Sequence, residues 1–319
     1  MRRVLFTLAV TLVFCAASFA QATQPQSTPP ASGTTAQPGT QTQPGAPTQP
    51  GAQAQPGAAA TPGAAQAAPT RTLPQAKSAE EYQAFTAAVT NTDLGMAEAA
   101  ASEFVTKFPD SELKGLLYRQ LMQMYQQANN AEKMIEMGRR AIQYSPNDPV
   151  PLVMTATVIS DKTKTTDLDR DERLAEAMKY AQRTLETVDA NMLAQPSDTP
   201  EQIESQKKLI RSLAHAALGT AEMVRENNAA AEKHLQEAVQ LNTERPDALT
   251  WLRLALAQDK QKKYKEALVS ATRAEELAGT DSTVRSLATQ EKQRLVKLTA
   301  APGAATTPAP KPATPAPPK

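Results

Sequence analysis

The sequence predicts an all-α protein in which helix–turn–helix pairs pack in series, closed by a C-terminal capping helix and flanked by disordered segments. Three observations predict it. Between about residues 75 and 299, apolar-periodic segments rich in Ala, Leu, Gln, Glu, Lys and Met show none of the sustained alternation that marks half-buried strands. Prolines 109, 146, 149, 151, 196, 200 and 246 fall between those segments or in their first turns, where the missing N–H costs little. Finally, the spacing of large and small residues around the single tryptophan, Trp251, recurs four more times.

The N-terminal elements come first. Residues 1–20 start with "MRR", continue with the apolar run "VLFTLAVTLVFCAASFA" and end on the small-x-small triplet Ser18-Phe19-Ala20. That is the layout of a secretory signal peptide, which implies export to the periplasm or cell envelope. Two alternatives are an uncleaved membrane anchor and a lipid-modified Cys15; Phe14 before the cysteine argues against the second. Cleavage after Ala20 leaves a chain with no cysteine, hence no disulfide and no cysteine metal site. It also changes the Lys+Arg to Asp+Glu balance from 34:33 to 32:33, and with no basic stripe beside aromatics this excludes nucleic acid as an expected partner. Residues 21–74 form a Pro/Gln/Gly/Ala/Thr-rich linker, uncharged up to residue 70 and repeating "QPG" every six residues. It has too few large apolar side chains to offset its ordering entropy. The Pro/Ala-rich tail, 300–319, reads the same way.

The repeat domain spans 75–299. Counting Ser78 as position 1 of the first pair places Phe85 at 8, Ala97 at 20, Phe104 at 27 and Pro109 at 32. The second pair starts at Gly115, with Tyr118, Leu121, Met122 and Tyr125 at 4, 7, 8 and 11, and Ala141 and Pro146 at 27 and 32; Met134 replaces the expected small residue at 20. The third, about 149–188, is split: Leu152, Thr155 and Ala156 fit a first helix, Ala177, Ala181 and Thr184 a second, with "DKTKTTDLDR" inserted between. The fourth starts at Ser212, with Leu218 and Gly219 at 7 and 8, and Ala231, Leu235 and Ala238 at 20, 24 and 27. The fifth puts Trp251 at 4, Leu254 and Ala255 at 7 and 8, Tyr264 at 17 and Ala267, Ala271 and Ala274 at 20, 24 and 27. Residues 281–299 supply the cap, with Val284, Leu287, Leu295 and Leu298 expected on its apolar face. Ser78-x-x-Glu81, Asp169-x-x-Glu172 and Thr199-x-x-Gln202 read as capping boxes.

This pattern resembles the tetratricopeptide repeat (TPR), a helix–turn–helix unit of about 34 residues. The resemblance implies a right-handed α-solenoid in which small residues at 8 and 20 let the two helices approach. The stretch "FVTKFPDSE" is similar to repeats of bacterial envelope proteins, including outer-membrane assembly lipoproteins. Trp251, like Tyr118, is then expected to pack between units, with a partner contact as the alternative.

Catalytic and metal signatures are sparse. Asp167, Asp169 and Asp171 begin like an EF-hand loop, but Glu172 and Met178 stand where Gly and a carboxylate are needed, so an acidic first turn capped by Asp169 is expected. His215 and His234, the only histidines, lack an accompanying ligand motif and read as structural or solvent-facing, His234 near the back face. No phosphate loop and no nucleophile elbow occur, and no cofactor and no enzyme activity are expected.

What the resemblance implies instead is a protein-binding groove lined by the first helix of each pair. Its expected residues are Tyr82, Thr86 and Val89; Arg119, Gln123 and Gln126; Val153, Thr157 and Ser160; and Leu252, Leu256 and Asp259. The Lys and Asn set with which chaperone-binding members of the family clamp a C-terminal carboxylate is missing. Leu252 and Leu256 have an alternative role, burial against the capping helix. The expected function is a non-enzymatic protein-interaction scaffold in the bacterial envelope, its partner unidentified; the alternative is a self-associating envelope organiser. Membrane contact is expected only through an uncleaved N-terminus.

Overall fold

The computed structural model describes residues 71–195, 197–279 and 282–300. The signal peptide, nearly all of the linker and the tail beyond 300 lie outside the described residues. Within them the chain is all-α, as expected. Its helices form antiparallel pairs: α1 (Ala79–Val89) with α2 (Leu94–Lys107), α3 (Lys114–Gln127) with α4 (Ala131–Tyr144), and α5 (Pro149–Lys162) with α6 (Arg170–Asn191). α7 (Pro200–Val224) pairs with α8 (Asn228–Leu241), α9 (Ala248–Lys260) with α10 (Tyr264–Leu277), and α11 (Ser282–Ala300) closes the series on α10. Each pair packs on the next, and α7, the longest helix, also touches α5 and α6.

Local chemistry fixes most helix starts. Thr199 and Gln202 form a complete capping box at α7. Ser78 caps α1 by accepting from the Glu81 amide, but the Glu81 carboxylate reaches the Lys77 amide instead of closing the box. Asp148 and Asp247 cap α5 and α9. Asp169 precedes α6 yet makes no cap bond; its carboxylate lies 3.9 Å from Arg173 instead, which corrects that expectation.

Three of the hairpin turns share one geometry. Asn129, Glu226 and Lys262 all adopt positive φ, at 54°, 63° and 62°. Each is followed by an amide that bonds back to a carbonyl five residues earlier: Asn130 to Tyr125, Asn227 to Glu222 and Lys263 to Gln258. This left-handed closure satisfies the last helical carbonyls without a glycine.

The seams between helices are built from the repeat's small and large positions. Leu121, Leu218 and Leu254, all at position 7, are buried, each contributing about 1.5–3 kcal/mol. Gly219 at position 8 lies so close to α8 that a Cβ there would stand 2.6 Å from the Leu235 side chain at position 24. The second pair reverses the sizes. Met122 occupies position 8, and Gly138 at position 24 makes the room; a Cβ on it would stand 2.1 Å from Thr155 and 3.2 Å from the Met122 sulfur. Met134 at position 20 is accommodated and buried. Split though it is, the third pair buries all six of the residues assigned to it, from Leu152 to Thr184.

Two details depart from expectation. Arg71–Thr72 (β1) pairs in parallel with Leu193–Ala194 (β2), a two-residue bridge just after α6. On α11 the buried stripe holds Ala288, Glu291 and Leu295, whereas Leu287 is 49% exposed. The spacing from 284 through 288, 291, 295 and 298 follows the helical period, so the expected face was one residue out of phase at Leu287.

Candidate partner-binding face

Several of the first helices meet one another: α1 touches α3, α5 touches α7, and α7 touches α9, while α3 is joined to the start of α5 by the Arg119–Asp148 pair. One long-range ion pair ties this row together. Arg253 on α9 donates to Asp161 at the end of α5 at 2.8 Å, both side chains less than one-fifth exposed. Burial pushes the Asp161 carboxyl above its ordinary value, and Arg253 only partly offsets that.

The expected groove residues divide into two groups along this row. Tyr82 is 47% exposed. Thr86, Val89, Gln123, Gln126, Thr157, Leu256 and Asp259 are partly exposed. Arg119, Val153, Ser160 and Leu252 are buried. Arg119 spends its charge on Asp148, 3.2 Å away across the boundary between pairs, while its Nε has no protein partner. Val153 sits in the main core cluster. Leu252 packs with Ala274 of α10 and Ala288 of α11, with Leu256 and Val284 against the same cluster. These two leucines therefore serve the seam with the cap. Asp259 is taken up by Arg294 of α11 at 2.5 Å.

Trp251 is partly buried and touches two clusters, Ala231, Leu235, Leu254 and Ala257 on one side and Leu252, Ala274 and Ala288 on the other. Tyr118 is buried and stacked on Tyr144 with ring centroids 5.7 Å apart. Both sit between helices. Ala267 is likewise buried, beside Ala255 and Leu295.

Sequence reasoning missed a polar seam on the even-numbered helices. Glu98 on α2 accepts from the Tyr125 hydroxyl at 2.8 Å and from Lys133 at 2.7 Å. Burial alone would raise its carboxyl, but those two donors outweigh it and hold the group below the usual range. Glu232 on α8, buried, accepts from Gln258, Gln261 and Lys263. On α10, Glu275 accepts from Thr289 and Lys292 of the cap. The available signal was a glutamate following the position-20 alanine at 98 and 232.

It also separated two residues that the fold joins. His215 and His234 face each other across the α7–α8 seam, so His234 is not a back-face residue. The acidic residues 167, 169 and 171 form no metal cluster, and among the described residues no group of three or more His, Cys, Asp or Glu is arranged to hold an ion.

The serial packing of these helix pairs defines a class: an α-solenoid of TPR-like helical hairpins with a C-terminal cap. No protein-family model matches the sequence, and no curated protein matches it. Among solved structures, similarity is found to the MamA protein at 14% identity, covering 59% of this chain and 88% of that one with a TM-score of 0.37. PilF of Pseudomonas aeruginosa matches at 15% identity over 69% of this chain and 93% of its own, TM-score 0.41. Acl4, an assembly chaperone of RpL4, matches at 14% over 69% and 97%, TM-score 0.34.

Proposed function

We propose that this chain is a non-enzymatic protein-interaction scaffold of the bacterial cell envelope that holds a partner segment against its row of odd-numbered helices. The observation that carries the reading is the Arg253–Asp161 pair, which holds α9 beside α5, together with the packing of α1 on α3, α5 on α7 and α7 on α9. Tyr82, Thr86, Val89, Gln123, Gln126 and Thr157 give the row accessible hydrogen-bonding and apolar groups, a mixture suited to an extended or helical segment. Arg119, Val153 and Leu252 support this face from beneath rather than touching the partner.

Export rests on the first twenty residues, with 21–74 as a tether and 75–299 as the binding domain ahead of the 300–319 tail. Among the described residues, no helix is long and apolar enough to cross a membrane.

Site-specific photocrosslinking in cells tests the reading. Crosslinkers at Gln123 and Thr157 are expected to trap one common partner, and crosslinkers at the exposed even-helix residues Met96 and Val269 are not. Capture from the even-numbered side alone, or from neither, contradicts it. Adducts between copies of the chain favour the self-associating organiser instead.

A further inference from the structure

The two histidines of this chain stand nineteen residues apart and belong to different helices, yet the fold turns them toward each other. Their Nδ1 atoms are 3.3 Å apart, with ring centroids at 5.5 Å and planes inclined by 32°. Both rings are half-buried in the α7–α8 seam. Burial holds both imidazoles below their ordinary pKa, and for His215 the other ring acts in the same direction. At neutral pH both are therefore uncharged, the form that binds metals.

In the structure this is a hydrogen-bond contact, one ring donating and the other accepting according to tautomer. The same separation also fits coordination once the donor proton is on the far nitrogen. Two nitrogens bound to one tetrahedral ion at about 2.0–2.1 Å each stand about 3.3–3.4 Å apart. The surroundings favour a cation: Glu237, one turn beyond His234, acts on both rings, and Glu222 acts on His234. Lys233 opposes them. No third protein ligand completes a cluster among the described residues, so an ion held here would take its remaining ligands from solvent. Imidazole selects zinc, copper or nickel over magnesium and calcium.

We propose that His215 and His234 form a two-imidazole site for a divalent transition-metal ion of the zinc, copper or nickel class. The bound ion bridges α7 and α8 and fastens the fourth hairpin. This inference stands apart from the partner-binding reading, since neither histidine is among the residues assigned to partner contact.

Calorimetric titration of the full chain with zinc chloride at pH 7.5, with magnesium chloride in parallel, tests it. One zinc per chain and no magnesium binding are expected. His215→Asn and His234→Asn are each expected to lower zinc affinity at least tenfold with unchanged helical circular dichroism. With only two histidines, the unmodified chain also gives a clean proton NMR readout, in which both imidazole signals should shift together and saturate at one equivalent. That readout decides the matter should a variant unfold. No zinc binding, binding that neither substitution weakens, or histidine signals that zinc leaves in place would overturn the proposal.

Discussion

Glu98 and Glu232 occupy the same place in their repeats, position 21, and each accepts a hydrogen bond from position 11 of the following pair. For Glu98 the donor is the Tyr125 hydroxyl at 2.8 Å, and for Glu232 it is the Gln258 amide at 3.4 Å. A lysine completes both, Lys133 at 2.7 Å and Lys263 at 2.5 Å. The donor side chains differ, but the carboxylate and its task of joining one pair to the next are retained. Tyr125→Phe removes one bond to a charged acceptor and is expected to cost about 1–2 kcal/mol in urea unfolding. The same change in an Glu98→Gln background should cost clearly less, and equal costs in both backgrounds would show that the two groups are not coupled.

The exchange of sizes between positions 8 and 24 gives a packing test. Gly138→Ala places a methyl against Thr155, and Gly219→Ala places one against Leu235. Each is expected to destabilise by about 1–3 kcal/mol, as overpacked seams do. Leu235→Ala costs stability alone but relieves the clash at Gly219→Ala, so the double variant should be more stable than the sum of the single effects. Additive losses would place these residues in separate seams.

At the hairpin turns the sign reverses. Glu226 and Lys262 hold left-handed backbone despite carrying side chains. Glycine there removes the steric cost and gives back part of it as unfolded-chain entropy, for a net gain of about 0.5–1 kcal/mol in Glu226→Gly or Lys262→Gly. Thermal denaturation checks this, and a lowered midpoint would mean the side chains contribute more than the backbone loses.

The histidine pair sets an acid limit. Because both folded-state pKa values lie below the ordinary 6.5, the unfolded chain takes up more protons once pH falls under that value. Stability from this seam is therefore fully present above about pH 6.5 and lost as pH drops toward the depressed values. A denaturation series in metal-free buffer from pH 7.5 to 5 should show that loss, and His234→Asn should reduce it. An unchanged slope in the variant would assign the acid sensitivity elsewhere, with Glu98 the next candidate at lower pH.

What the sequence made legible was whatever obeys one spacing. Gly219 and Ala231 are small at positions 8 and 20, and the spacing alone locates the close approach they permit. Gly138 escaped because its space is taken by Thr155 of the next pair, with the Met122 sulfur beside it, neighbours that the spacing within one repeat does not contain. The buried pairs escaped for a related reason: Arg119 and Asp148, or Arg253 and Asp161, sit on different hairpins, and a charge on a helix reads as solvent-facing until its partner is placed. Of the expected binding face, the row of first helices emerged from the pattern, but the split between its accessible and buried members depended on partners outside each repeat, such as Asp148 for Arg119 and Ala288 of α11 for Leu252.

The central claim is that these hairpins are stabilised chiefly by their neighbours in series. Hydrogen exchange on the chain ended after Gly279, which removes α11, tests it most directly. The account predicts lost protection in α9 and α10, where Leu252, Ala255 and Ala274 lose their cover, while α3 to α6 remain protected as in the full chain. A uniform loss across all the helices would contradict it.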